Sequence, residues 1–394
     1  MSSPDTATPP RASLVNDPRV RGIVYQLIAL VVVVWAGTEI WTNAVSNLER
    51  ANIASGFGFL DTTAGFGIVQ TLVSYTEEST YGRAFLVGLV NTLVVAGIGI
   101  VLATILGFLV GIGSLSRNWL MSQICLVFVE TMRNIPLLLH IFFWYFAVLR
   151  SVPGPRESLA FMDSFFVNNR GIYSPRPVGE DGFGVVLIVL ALGIAGAIGL
   201  ARWARVRRDK TGQPFPVLWS SIGLIVVLPL LAFALMGAPL TFDYPSLQGF
   251  NFRGGMVMIP EFISLVLALS IYTAAFIGEN VRSGILSVSK GQTEAAFALG
   301  IKPGPTMRLV IIPQAMRVVI PPLTSQYLNL TKNSSLAVAI AYPDLVSVFA
   351  GTVLNQTGQA VEILFLTMSV YLTLSILTSM VMNWYNARIA LVER

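Results

Sequence analysis

Long, uninterrupted apolar runs constrain this chain more than any other feature. A helix needs roughly 20 mostly apolar residues to cross about 30 Å of hydrocarbon, and backbone polar groups at that depth must bond within the segment. The runs are continuous and do not alternate, which predicts spanning helices and excludes a membrane barrel. Eight spans are expected, at about 22–42, 84–113, 122–149, 184–201, 217–237, 260–280, 315–340 and 361–383. The expected fold class is therefore all-α, a polytopic membrane protein. The first span follows a polar tail and lacks a small-residue cleavage site, so it reads as retained and not as a signal peptide.

Composition narrows the chemistry. The chain has 394 residues, 54% apolar and 11% charged, where a soluble domain carries about 25% charged residues. Mean hydropathy is +0.72. The single cysteine, Cys125, excludes an internal disulfide, and the single histidine, His140, excludes a multi-histidine metal centre. No Gly-x4-Gly-Lys-Ser/Thr loop occurs, so the chain is not expected to bind ATP. Neither a catalytic role, nor a cofactor, nor a resident metal is expected of it. Energy for any work must come from a partner or an ion gradient.

Lys and Arg in the loops set orientation. An even number of spans puts both termini on one side. The loudest signal is 202–216, with Arg202, Arg205, Arg207, Arg208 and Lys210. Arg11, Arg19, Arg21, Arg117, Arg282, Lys290, Lys302, Arg308, Arg388 and Arg394 fall on its side. The opposite loops hold Arg50, Arg83, Arg150, Arg156, Arg170, Arg176 and Arg253, with Glu77, Glu78, Asp163, Glu180 and Asp181. Both termini are expected in the cytoplasm. Beside a span, the basic run reads as a topology or anionic-lipid signal and not as a nucleic-acid site.

The chain divides into a tail at 1–21, a first span and outer loop at 22–83, a core part at 84–149, an insertion at 150–259 and a second core part at 260–394. Pro153-Gly154-Pro155 and Pro175-Arg176-Pro177 punctuate the insertion, which has two spans of its own. No internal repeat is visible, so an inverted-repeat transporter gains no support.

The most informative loop is 281–314. Ser289 and Gln292 have capping-box spacing: the serine can accept the third residue's N–H while the glutamine reaches back to the cap's own N–H. A helix follows over 290–299, rich in alanine, with Gly300 at its C-terminal turn and Pro303 beyond. Such a helix, with Glu294 near its middle, suits either a groove on a partner or the lipid surface.

Glu294-Ala295-Ala296, three residues, Gly300, nine residues, then Val310-Ile311-Ile312-Pro313 resembles the EAA motif of binding-protein-dependent ABC importer permeases. The resemblance implies that 290–299 is the coupling helix, docking on a cytoplasmic ATPase. Glu294 would be the polar contact, Ala295 and Ala296 would permit close packing, and Gly300 would make the turn. Gly88-Leu89-Val90-Asn91-Thr92-Leu93, Glu130–Leu138, Tyr272–Glu279 and Lys332-Asn333-Ser334-Ser335-Leu336 are similar to stretches of the histidine and polar amino-acid branch. Asn134-Ile135 stands where that branch has Gly-Thr, His140 where glutamine is expected, and Phe297 where a smaller or polar residue is usual. The variant, the length and the insertion look most like the Q-type membrane subunit of general L-amino-acid ABC transporters. The resemblance covers about 84–149 and 260–394. It implies a type I ABC importer permease fold in a bacterial inner membrane. The implied partners are a second homologous permease, an ATPase dimer and a periplasmic amino-acid-binding protein.

Ionisable residues inside spans are costly and are functional candidates. Arg133 can pair with Glu130 one turn back; Glu279 and Arg317 sit near span ends. Lys332 lies in the polar run Asn329–Ser335, after Pro321-Pro322, which interrupts the hydrogen-bond ladder. Lys332, Asn333 and Ser335 can supply donors to a substrate carboxylate, and form the candidate substrate pathway. Packing at a helix junction or a gating role remains the alternative. Gly107 and Gly111 have the spacing for close helix contact. The rival functions are an ion-gradient-driven secondary amino-acid transporter and a membrane scaffold or sensor that transports nothing.

Overall fold

The computed structural model describes residues 18–50 and 56–389. Most of the predicted 1–21 tail, including Arg11, and the C-terminal Arg394 lie outside the described residues. The helices are α1 (Pro18–Arg50), α2 (Tyr81–Gly113), α3 (Trp119–Asn134), α4 (Leu137–Phe142), α5 (Phe183–Thr211), α6 (Val217–Ile222) and α7 (Leu228–Leu235). They continue with α8 (Pro260–Leu286), α9 (Lys290–Ala298), α10 (Pro303–Thr306), α11 (Ile312–Asn333), α12 (Leu354–Thr357) and α13 (Ala360–Ile389). Wider π-turns continue α4 over Phe143–Val148, join α6 to α7 and lead into α11 and α12.

Among the described residues, six helices are long and apolar enough to cross a membrane: α1, α2, α5, the α6–α7 rod, α8 and α13. A seventh arises if α3 and α4 count as one bent span. The expected span at 122–149 is thus broken, with a bend of 106°. Ile135 precedes Pro136 and is forced out of the helical region, at φ −100° and ψ 130°. The expected span at 315–340 is helix α11 followed by a tighter turn over Ser334–Ile340. Its polar residues keep it out of the apolar set. α11 runs unbroken through Pro321 and Pro322, so the missing N–H groups do not split it as expected.

The insertion departs from an all-helical reading. Eight short strands frame its helices: β1 (Leu159–Phe161), β2 (Phe165–Asn168), β3 (Gly171–Ser174) and β4 (Arg176–Gly179) before α5, then β5 (Leu240–Asp243), β6 (Ser246–Gln248), β7 (Asn251–Arg253) and β8 (Met256–Met258) after α7. They form antiparallel sheets in the orders β1-β2-β3-β8, β4-β5 and β6-β7. Strand β3 pairs with β8, and β4 with β5, so the strands zip the two ends of the insertion together. Phe252 stacks on Phe166 and Tyr173 at 4.5 and 5.0 Å between ring centres.

Two compact units divide the chain. One contains residues up to Asn91 with Pro343–Ile376; the other contains Thr92–Tyr342 with residues from Leu377. In the larger unit, α8 is the most buried spanning helix. Leu265, Leu269 and Ile277 of α8 pack with Val95, Ile141, Val319 and Leu330. The smaller unit is centred on Phe59, Tyr81, Leu345, Phe349 and Ile363.

Candidate functional site

The loop after α8 forms the helix that the sequence predicts. Ser289 caps α9, but its hydroxyl accepts from the second residue, Gly291, at 3.3 Å. The glutamine does not close the expected capping box. Its Oε1 instead accepts from Gln314 Nε2 of α11 at 3.3 Å. The side chain that would have capped α9 ties it to α11. At the other end Gly300, at φ +71°, donates to the Phe297 carbonyl, and Ile301 donates to that of Ala296. This pair of bonds is a Schellman ending, whose left-handed position favours glycine.

Only Ala296 of α9 is buried. Glu294, Ala295, Phe297, Ala298 and Leu299 are exposed, as is Gly300. Of the four residues singled out, Ala296 therefore packs inward, while Glu294, Ala295 and Gly300 face outward. The open face combines one carboxylate, small alanines and two large apolar side chains. That mixture suits a protein groove: alanine permits close approach, and the apolar groups contribute burial energy once water is excluded.

In the larger unit, α2 and α8 approach at van der Waals limits. A Cβ on Gly107 would stand 2.6 Å from Ile277 Cβ, and one on Gly111 2.6 Å from the Gly278 carbonyl. The small-residue spacing in α2 thus serves contact with α8. Glu279 accepts from Arg282 Nη1 at 3.2 Å and from the Ser283 hydroxyl at 3.1 Å. Arg133 does not pair with Glu130 as expected; its guanidinium lies 5.3 Å from the centre of the Phe276 ring, while Glu130 accepts from Asn134. His140 is buried, with Nε2 3.2 Å from the Met132 carbonyl and its ring edge-on to Tyr272.

The candidate pathway residues sit where α11 tightens. Lys332 is exposed, and Asn333 and Ser335 are half-buried. The Ser335 hydroxyl donates to the Lys332 carbonyl at 2.7 Å. Ser334 does likewise toward Thr331, and Thr331 toward Tyr327. Back-bonding of this kind engages the hydroxyl protons, so Ser335 has no proton free for an incoming carboxylate and can accept only from a donor such as an ammonium. Lys332 and Asn333 retain the donor role.

A second polar cluster escaped the sequence reading. Asn91 is fully buried in α2, and its Nδ2 donates to the carbonyls of Gln70 and Pro343 at 3.0 and 2.9 Å. Next to Pro343, Asp344 is 1% exposed. Its carboxylate accepts from the Ser347 N–H at 2.8 Å and lies 3.3 Å from the Tyr371 hydroxyl. Asp344 lies in the connection 341–359, outside the apolar spans. Burial pushes its carboxyl up to about 7, against hydrogen bonds from Ser347, Val346 and Tyr371 that pull it down. Gly88 completes the cluster: a Cβ there would stand 3.0 Å from Leu345 Cα. The signal that could have found it is a Gly-x-x-Asn pair inside an otherwise apolar helix.

Comparisons with known proteins follow the same pattern. Residues 190–391 match the family described as the binding-protein-dependent transport system inner membrane component. The general L-amino acid transport system permease protein AapQ of Rhizobium johnstonii is 56% identical over 97% of this chain and 95% of that protein. The putative amino-acid ABC transporter permease protein YhdX of Escherichia coli is 54% identical over 96% of each chain. The glutamate/glutamine/aspartate/asparagine transport system permease protein BztB of Rhodobacter capsulatus is 43% identical over 98% of this chain and 99% of that protein.

Proposed function

The chain belongs to the family of binding-protein-dependent transport system inner membrane components, and on that premise we propose the part it plays in amino-acid import. It is the multi-pass permease subunit of an ATP-driven ABC importer of amino acids, and not itself an enzyme. The observation that carries this reading is 56% identity across nearly the whole chain to a permease named for general L-amino acid transport. The ion-gradient alternative finds no support among these relatives.

In this reading α9 is the coupling helix. Its exposed face, with Glu294, Ala295 and Gly300, docks on a cytoplasmic ATPase, and Ala296 seats it on its own chain. The Gln292–Gln314 bond favours the same role, because it links α9 to α11 and so gives a push on α9 a path toward Lys332. Lys332, Asn333 and Ser335 line the substrate pathway. A second permease completes that pathway, and a periplasmic binding protein delivers broad-range L-amino acids. Both termini face the cytoplasm of a bacterial inner membrane, with basic loops inside.

Two measurements test this. Uptake of acidic, amide, basic and aliphatic labelled amino acids, with and without the gene, should show several classes lost together; loss of none overturns the reading. In the assembled transporter, Glu294→Lys should remain in the membrane and leave ATP hydrolysis running while uptake falls to background. Normal uptake by that variant removes α9 from the coupling role.

A further inference from the structure

The hairpin of the insertion takes no part in the coupling or pathway described above, yet it ends in a built cavity. From Phe183 to Ala201, α5 covers about 29 Å at 1.5 Å per residue, the thickness of the hydrocarbon layer. Its remaining turns, Arg202 to Thr211, project beyond that layer. Gly212, at φ +70°, closes the helix by donating to the Arg208 carbonyl at 2.9 Å. The chain then returns to α6 at Val217.

Between the end of α5 and this return lies a cavity of about 310 Å³, lined by Ala201, Ala204, Arg205, Arg208, Phe215 and Val217 among others. Its wall is braced. Trp203 meets Phe215 edge-on at 5.3 Å, and Arg207 lies 5.3 Å from the centre of the Trp203 ring while donating to Gln213 Oε1 at 3.2 Å. Arg207 is engaged in holding the return loop. Arg205 and Arg208 line the cavity instead. Three residues apart on one helix face, their like charges repel. The two ion pairs among the described residues are Arg176–Asp243 and Arg282–Glu279, so neither arginine is paired with a carboxylate of the described residues. Asp209, the one acid in this stretch, does not line the cavity.

We propose that this cavity binds the phosphate of an anionic phospholipid, gripped by the Arg205 and Arg208 guanidiniums. Paired guanidinium N–H groups match phosphate oxygens. Depth also agrees: Trp203 and Trp219 are exposed on either side, as interfacial tryptophans are. The neighbouring exposed Val206 and Leu218 give the acyl chains an apolar surface. Inorganic phosphate shares the headgroup chemistry but gains nothing from that surface, so the lipid is the occupant favoured.

The test is native mass spectrometry of the assembled transporter from mixed phosphatidylcholine–phosphatidylglycerol nanodiscs. Wild type should retain phosphatidylglycerol on the order of tenfold more than R205Q/R208Q, as expected when charge-assisted hydrogen bonds to a phosphate are lost. R202Q/K210Q removes the same charge outside the cavity and should retain the lipid. A201F, which fills the cavity and keeps both arginines, should lose it. Equal retention by wild type and R205Q/R208Q, or equal loss by R202Q/K210Q, overturns the proposal. Displacement of the lipid by millimolar inorganic phosphate would make free phosphate the ligand and overturn the lipid assignment.

Discussion

Helices α8 and α5 are similar in length and each apolar enough to cross a membrane, yet they meet different neighbours. α8 buries residues around most of its circumference, from Phe262 to Gly284, against α3, α4 and α11, with α2 closing on it at Gly107 and Gly111. α5 buries a narrow stripe, Val186, Gly193, Ala197 and Ala204, against the α6–α7 rod. Its large side chains, such as Leu187, Ile188 and Leu192, stay exposed. Lipid does not reward helix association by hydrophobic burial, so membrane helices pack where small residues allow close approach. The core around α8 is therefore specified on several faces at once, and the insertion's hairpin on one.

The largest expected effect concerns the buried carboxylate of the smaller unit, Asp344, which the exposed acids of the insertion do not match. The Asp344 carboxyl in the folded protein titrates near 7, about three units above its unfolded value of about 3.9. The folded state thus binds more protons than the unfolded state between about pH 4 and 7. Stability is greatest below that window and falls through it, by up to about 4 kcal/mol. Thermal melting of the purified protein from pH 5 to 8 should show this decline, and Asp344→Asn should flatten it. An unchanged slope in Asp344→Asn would show that another group causes the decline. The exposed acids of the insertion, such as Glu180, should leave the slope as it is.

Packing comes next. Gly111→Leu places a side chain where the α8 backbone already stands, and should cost about 3 kcal/mol or prevent folding. Gly199→Leu, in α5 with nothing within 4 Å of its Cβ position, should melt within a degree or two of wild type by the rough scale for about half a kcal/mol. Equal losses would erase the contrast between core and hairpin.

Smaller effects sharpen it. Ser289→Ala removes the cap of α9 and should cost about 1 kcal/mol, read as faster amide exchange across 290–298. In the insertion, Arg176→Ala breaks an exposed ion pair with Asp243 and should cost under about 0.5 kcal/mol in melting experiments.

Much of this was legible in the sequence, and the exceptions have physical causes. Run length alone read 122–149 as one span, although Pro136 carries a signal for the break, since a residue before proline avoids the helical region. That the disturbance turns the chain through 106° depends on the packing of α4 against α8. The strands of the insertion are three or four residues long, too short for a period of two to stand out. Gln292 had two possible partners, and Gln314 lies 22 residues away, beyond any local pattern. Arg133 likewise had an acid one turn back, but α8 brings Phe276 under its guanidinium.

Apolar run length, the scarcity of charge and the basic loops determined a multi-pass helical membrane chain, because bilayer thickness and backbone hydrogen bonding act on each segment alone. The sequence also placed a short helix at 290–299 and Gly300 at its end, because helix propensity and C-terminal capping are local too. Tertiary structure alone decided which polar groups are held and which remain open. Asn91 reaches two carbonyls distant in the chain, Asp344 is shut off from solvent, and Arg205 and Arg208 share a cavity that no carboxylate lines. Those outcomes depend on which surfaces exclude solvent, and solvent exclusion belongs to the packed molecule and not to any single segment of it.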